Sequence, residues 1–462
     1  MPSPEYPHGE SSYGKAGDAG SEPDHAAERA PQEAQMRLLV EAYGDEVGKG
    51  PANWQRVGIQ YLYRQHHILV RDEYVERVMR LIPGSEVREP VVHGVTLLRV
   101  PDPALDTLAR IRGPVAGRPE GAAPEGAAPQ ARRGADEAPL GPGVASVDHL
   151  ISICPPPDGT GAGCPATEPD PDPHMVPDPG VTSDCAAGEG IRVVVVDTGL
   201  DPDSVTTHRW MARVTGETDL AVPPGPSEQR PLGPYAGHGT FIAGVIRSVA
   251  PRAEVIVKRI LFKAGATYES SLVQALDRVL EDDFPDVISM SAGTWTFDPT
   301  GLLGLTVFNE TRLRHHKGVV LVVAAGNDNS RRSFWPAAAP WTISVGALSH
   351  DWRRRAQFSN FGRWVDVYAP GENLVNAFPV GTYTYREQSR PHHVPQHQPG
   401  DQAVFTGMAR WSGTSFSTPM VAGLIAARMS RTGENGKDAG AAVLAEARAG
   451  ALFGLGAILL PR

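Results

Sequence analysis

The sequence predicts an α/β protein, a doubly wound and mostly parallel sheet preceded by a small α+β N-terminal domain. From Gly190 onward, near-continuous apolar runs of strand length alternate with amphipathic helical stretches, the pattern of parallel strands covered on both faces. Between Met36 and Arg112 a shorter pattern of two strand-like and two helical runs stands apart. The two patterned regions are separated by residues too poor in large apolar side chains to form a core.

In chain order, residues 1–35 are polar and rich in Pro, Gly, Glu and Asp, and read as a disordered tail. Residues 36–112 read as the small α+β domain. Gln65–Val70 is strand-like, and Arg71–Ile82 carries Val75, Val78, Met79 and Ile82 on one helical face. Gly94–Val100 is again strand-like and Ala104–Ile111 helical, a β-α-β-α order with helices on one side of a sheet. Residues 113–145 form a low-complexity linker with the tandem unit Glu120-Gly-Ala-Ala-Pro124 and Glu125-Gly-Ala-Ala-Pro129, which cannot bury enough surface to offset its ordering entropy. Residues 146–184 comprise a short apolar strand, Ser146–Ile153, and a Pro/Asp-rich extended connector. In the α/β domain, 185–462, buried strands are expected at Ile191–Asp197, Glu254–Ile260, Val287–Ser291, Val319–Ala325 and Thr342–Ala347. The clearest helix is Glu269–Asp283, with Leu272, Leu276, Val279 and Leu280 on one face. In such sheets sites form at the carboxyl ends of strands.

Composition narrows the partners. A chain of 462 residues is long enough for two domains plus linkers. The formal net charge of −10 argues against nucleic acid or an anionic membrane as partner. The N-terminus shows neither a basic head nor an apolar stretch before a cleavage site, and Gly450–Leu460 is too short to span a bilayer, so a cytoplasmic location is expected. Cys154, Cys164 and Cys185 are an odd set and no disulfide framework, although the spacing permits a Cys154–Cys164 bridge. The pairs His66-His67, His315-His316 and His392-His393 lack zinc-ligand spacing with partners and read as solvated residues.

Four positions carry chemistry. Asp197 ends an apolar strand, where a carboxylate either serves catalysis or caps the next segment. His238 sits between Gly237 and Gly239, which let the backbone turn and leave the imidazole accessible; a lone loop histidine is usually a plain surface residue. Ser415 opens an apolar helix in Ser412-Gly413-Thr414-Ser415-Phe416-Ser417-Thr418-Pro419, where it is either an N-cap or a nucleophile beside a positive helix end. Asn327 follows the strand Val319–Ala325, where it makes a turn or donates its amide to an oxyanion.

Together these segments resemble the subtilisin-like serine proteases. Asp-Thr-Gly at 197–199, His-Gly-Thr at 238–240, Ala-Ala-Gly-Asn at 324–327 and Gly-Thr-Ser-Phe-Ser-Thr-Pro at 413–419 each look like a signature of that family, over roughly residues 185–431. Their order, Asp then His then Ser, is the subtilisin order of the triad. The resemblance implies a serine endopeptidase acting on a peptide or protein substrate. Ser415 is then the nucleophile, His238 the general base, Asp197 its orienting carboxylate and Asn327 an oxyanion donor.

Further expectations rest on the same resemblance. Ser291, Ala292 and Gly293 look like the edge segment that pairs with substrate backbone. Phe334 falls at the back of the primary specificity pocket, which would make that pocket shallow. The N-terminal domain is similar in kind to the prodomains that inhibit such enzymes, so it is expected either to act as the chain's own inhibitor or to stay attached as a separate recognition domain. No cofactor is implied; structural calcium is common in the family, but no ligand loop for it can be named here. Two alternatives stay open, a maturation protease dedicated to removing the leader of one substrate, and a catalytically silent binding scaffold.

Overall fold

The computed structural model describes residues 36–112, 139–153, 167–225, 229–389, 396–451 and 455–461. The tail 1–35, most of the linker, Cys154, Cys164 and His392-His393 lie outside the described residues. Cys185 is an exposed free thiol.

The N-terminal part opens with helix α1 (36–43), strand β1 (Val47–Gly50) and a single turn α2 (Trp54–Val57). It continues as β2 (Tyr61–Arg71), α3 (Val75–Leu81), β3 (Glu86–Val92), β4 (Val95–Arg99), α4 (Ala104–Arg112) and β5 (Ala145–Ser152). From β2 to β5 this is a split β-α-β-β-α-β unit. It exceeds the expected β-α-β-α order by β3 and by β5, the strand expected within the connector. Val78, Leu98, Leu108, Ile111 and Val147 form its core, and Trp295 and Phe334 of the larger domain join the same cluster.

The larger domain begins with β6 (Asp170–Pro171), β7 (Arg192–Asp197), α5 (Pro202–Thr207), β8 (Val214–Gly216), β9 (Pro231–Leu232) and α6 (His238–Val249). Next come β10 (Glu254–Arg259), β11 (Ala266–Tyr268), α7 (Glu269–Arg278), β12 (Val287–Met290), α8 (Leu303–Thr311), β13 (Val320–Ala324), β14 (Ile343–Leu348) and β15 (Val367–Pro370). The hairpin β16 (Leu374–Thr384) and β17 (Gln402–Trp411) leads into α9 (Thr414–Thr432) and α10 (Gly436–Ala449). All five strands expected from the apolar runs lie in one seven-stranded parallel sheet of order β15-β14-β13-β12-β7-β10-β8. One apolar cluster, with α6 and α9, covers one face of this sheet, and a second, with α7 and α8, covers the other. The order reverses about β7, so Asp197 ends the strand at the switch point, where open α/β sheets form their crevice.

Backbone pairing, ion pairs and buried hydrogen bonds tie the N-terminal part to this domain. β11 adds to the first sheet beside β5, in the order β11-β5-β2-β4-β3 with β1 on β2. Ion pairs join Arg71 to Glu310 at 2.8 Å and Arg112 to Asp298 at 2.9 Å. Two acids of the buried seam are also partnered: Asp148 accepts from the Ser270 N–H and hydroxyl at the start of α7, and His149 Nδ1 lies 3.1 Å from Glu269. The Phe297 N–H donates to His149 Nε2, which leaves Nδ1 as the protonated nitrogen facing Glu269. Outside the seam, α1 covers β5 and β11 with Leu39, and the Tyr43 hydroxyl donates to the Ala266 carbonyl.

Candidate active site

Three elements converge on one cavity of about 270 Å3 whose lining includes Ile153, Thr167, Tyr235, His238, Trp411 and Ser415. Asp197 is fully buried at the end of β7, because its neighbours Val193–Val196 form the centre of the sheet. Its Oδ1 accepts from the Thr198 N–H and lies 2.8 Å from His238 Nδ1. His238 is the first residue of α6, and Gly237 before it has φ of 75°. A side chain at Gly237 would strike Pro379 at 2.3 Å, so this turn demands glycine twice over. Asp219 ties the same turn to β7, accepting from Gly237 N–H and from the Thr198 hydroxyl. Burial pushes the Asp219 carboxyl up to about 6.

Ser415 lies in the first turn of α9, whose leading N–H groups have no intrahelical acceptor and give that end partial positive charge. The Ser291 hydroxyl holds the turn by donating to the Ser415 carbonyl at 2.9 Å. Asn327 is buried beside it. Its Oδ1 accepts from both the Thr414 N–H and the Thr414 hydroxyl, at 2.9 and 3.0 Å, so the amide NH2 is the end left to donate. The four residues of the chemical set are thus gathered from β7, α6, the end of β13 and α9.

The expected groove residues are also placed. Gly293 pairs antiparallel with Ser152. β5 runs on the other side against β11, in the register Ala266↔Ser152, Thr267↔Ile151 and Tyr268↔Leu150. The Ile153 N–H donates to the Gly265 carbonyl at 3.0 Å, and its side chain reaches the space over Gly265 beside the Tyr235 ring. A strand of the chain's own N-terminal part therefore lies between the two backbone edges, leading into the cavity that holds His238 and Ser415. Ala292 is buried in the core behind this edge. Phe334 packs edge-on against Trp295 at 5.2 Å, and its ring fills the space over both Gly293 and Gly326.

Sequence reasoning missed Gly265, Tyr235, Thr414, Asp219 and Trp411. Thr414 carried a signal, since it stands inside the Gly-Thr-Ser signature; the others emerge only from the fold. Among the described residues no group of three or more His, Cys, Asp or Glu side chains could hold a metal ion, and no helix is long and apolar enough to cross a membrane.

The Subtilase family profile matches residues 188–447. Among curated proteins the chain is similar to Subtilisin NAT of Bacillus subtilis subsp. natto, 29% identical over 55% of this chain and 59% of that protein. It is also similar to an extracellular serine proteinase of Thermus sp. (strain Rt41A), 32% identical over 52% of this chain and 55% of that protein. The chain thus spans little more than half the length of these relatives. Among solved structures, fervidolysin from Fervidobacterium pennivorans, a keratinolytic enzyme related to subtilisin, superposes with a TM-score of 0.50. That superposition is at 20% identity and covers 84% of this chain and 58% of that one, which establishes the shared fold. With more than half of its length matched by the family profile on a subtilisin-like parallel sheet, the chain belongs to the subtilase family.

Proposed function

We propose that the protein is a serine endopeptidase held latent by its own N-terminal domain. The observation that carries this reading is the Asp197–His238 hydrogen bond opening onto the cavity that Ser415 lines. In this reading Ser415 Oγ attacks the substrate carbonyl as His238 takes its proton, while Asp197 keeps Nδ1 protonated and stabilises the imidazolium. The tetrahedral oxyanion is held by the Asn327 amide and the Ser415 N–H, whose value lies in being fixed before charge develops. His238 then protonates the leaving amine, and water hydrolyses the acyl-enzyme.

Latency is supported by the strand pairing. Substrate backbone would add between Gly293 and Gly265 by main-chain hydrogen bonds, and Ser152 and Ile153 already make those bonds. A substrate must displace them. Phe334 is the floor of the pocket for the residue before the scissile bond, so small side chains are accepted there and large aromatic ones are not.

The test is labelling with a fluorophosphonate probe, comparing the full chain with Ser415→Ala and following intact mass. Labelling confined to the unaltered chain supports the reading. Labelling of both, or of neither after the N-terminal domain is displaced with mild denaturant, refutes it.

A further inference from the structure

Thr167–Asp172 belongs to the Pro/Asp-rich connector and lies outside the region matched by the family profile. It is nevertheless knitted into the site. β6 pairs antiparallel with the end of β17, Arg410 opposite Asp170 and Ala409 opposite Pro171. The buried Asp172 carboxylate accepts from Arg410 at 2.7 Å. Glu168 accepts from the Tyr383 hydroxyl at 2.7 Å and from the Arg386 and Glu387 N–H groups. The Tyr385 hydroxyl donates to the Pro169 carbonyl.

At the end of this ladder the Thr167 carbonyl accepts from the Trp411 indole N–H at 2.5 Å. Trp411 is buried and stands edge-on to His238, with ring centroids 5.2 Å apart and planes at 86°. Phe416 packs on both rings, at 5.4 Å from His238 and 5.1 Å from Trp411. The imidazole is thus tied by hydrogen bond on its Asp197 side and boxed by two aromatic rings elsewhere. One of those rings has its buried N–H satisfied, among the described residues, by the connector, and a buried N–H without an acceptor carries a desolvation penalty.

We propose that Thr167–Asp172 is a standing part of the catalytic unit and that Trp411 is a positioning residue for His238, its indole held by the Thr167 carbonyl. This rests on the protease reading above. In consequence the catalytic unit begins at Thr167, upstream of the family match, and any cut that frees the N-terminal domain falls before it.

The test uses the full chain with three alterations: Trp411→Phe, which keeps a ring but loses the donor, Trp411→Leu, and the pair Glu168→Gln with Asp172→Asn, which loosens the arm without touching His238. Two quantities are read, the maximal rate and half-saturation of Ser415 labelling by a fluorophosphonate, and the low-field NMR signal of the His238 Nδ1 proton. The expected result is a maximal rate roughly 10- to 100-fold lower, half-saturation within about twofold, and a broadened Nδ1 proton, in the arm variant as well as in Trp411→Phe. A wild-type rate and a sharp proton signal in either would overturn the proposal, as would loss confined to half-saturation. A wild-type chain that labels at no serine even after its N-terminal domain is displaced with mild denaturant would instead sink the protease reading on which it stands.

Discussion

Ser152 and Gly293 exchange both of their backbone hydrogen bonds, at 3.1 Å and 3.0 Å. The pair joins the last residue of β5 to the edge beyond β12, and so seats the N-terminal domain on that edge through main-chain atoms that, in the proposed function, substrate would compete for. Ile153, one residue on, is nearly buried.

Ile153→Asp should therefore release the groove. An unpaired carboxylate in that position costs several kcal/mol of docking, and each 1.4 kcal/mol is about tenfold in the open fraction. Fluorophosphonate labelling of Ser415 in the full chain is expected to accelerate by about tenfold or more over wild type. An unchanged rate would mean that the strand does not gate access.

Asp148 supplies a pH dependence. Burial, opposed by its hydrogen bonds to Ser270, pushes its carboxyl from 3.8 up to about 7. The docked state thus holds the proton more tightly than the free state. The group's contribution is fully present below 3.8 and is lost as pH rises through about 7, at about 1.4 kcal/mol per pH unit between the two. Asp148→Asn removes this slope. Thermal unfolding at pH 5 and pH 8 should show the variant gaining on wild type as pH rises; a pH-independent difference would count against the shift.

Asn327→Ala tests the oxyanion donor. Turnover on a peptide substrate should fall by about 10²–10³, the range seen when a subtilisin loses one such side-chain donor, with KM little changed. Loss confined to KM would place Asn327 in substrate binding instead.

Phe334→Ala should open the pocket floor and lower stability together. Removing a buried phenylalanine costs about 3–5 kcal/mol, visible as a lower Tm. Profiling with a peptide library should shift the preferred residue before the scissile bond from small toward Phe and Tyr. A lower Tm with unaltered preference would show that Phe334 serves the Trp295 cluster alone.

How much of this was legible in the sequence depended on burial. Strands β7, β10, β12, β13 and β14 showed as apolar runs because both faces of the parallel sheet are covered. β3 did not, since it is an edge strand exposed over Glu86–Pro90 and carries Arg88, Glu89 and Pro90. β16 was hidden by Pro379 and Gly381 and by the register shift between Ala377 and Val380. Asp197, His238 and Ser415 were each ambiguous singly and informative as an ordered set. The tie from Trp411 to Thr167 left no trace, because a backbone carbonyl is offered by every residue and nothing in a Pro/Asp-rich stretch marks which one is used. Ser146–Ile153 read as a strand, but its partners Ala266–Tyr268 and Gly293 are fixed by the packing of two domains, which local pattern does not encode.

The chain enters the groove on β5 and rejoins the larger domain on β6, with Ile153 and Thr167 lining one cavity. In the proposed function, while it is continuous the strand would compete with substrate at an effective concentration in the millimolar range. Once it is severed between those two residues, the same contacts become an ordinary bimolecular equilibrium. Blockade then depends on how much of the freed domain surrounds each enzyme molecule, so dilution alone would switch the population on, and one molecule's detached domain could silence another.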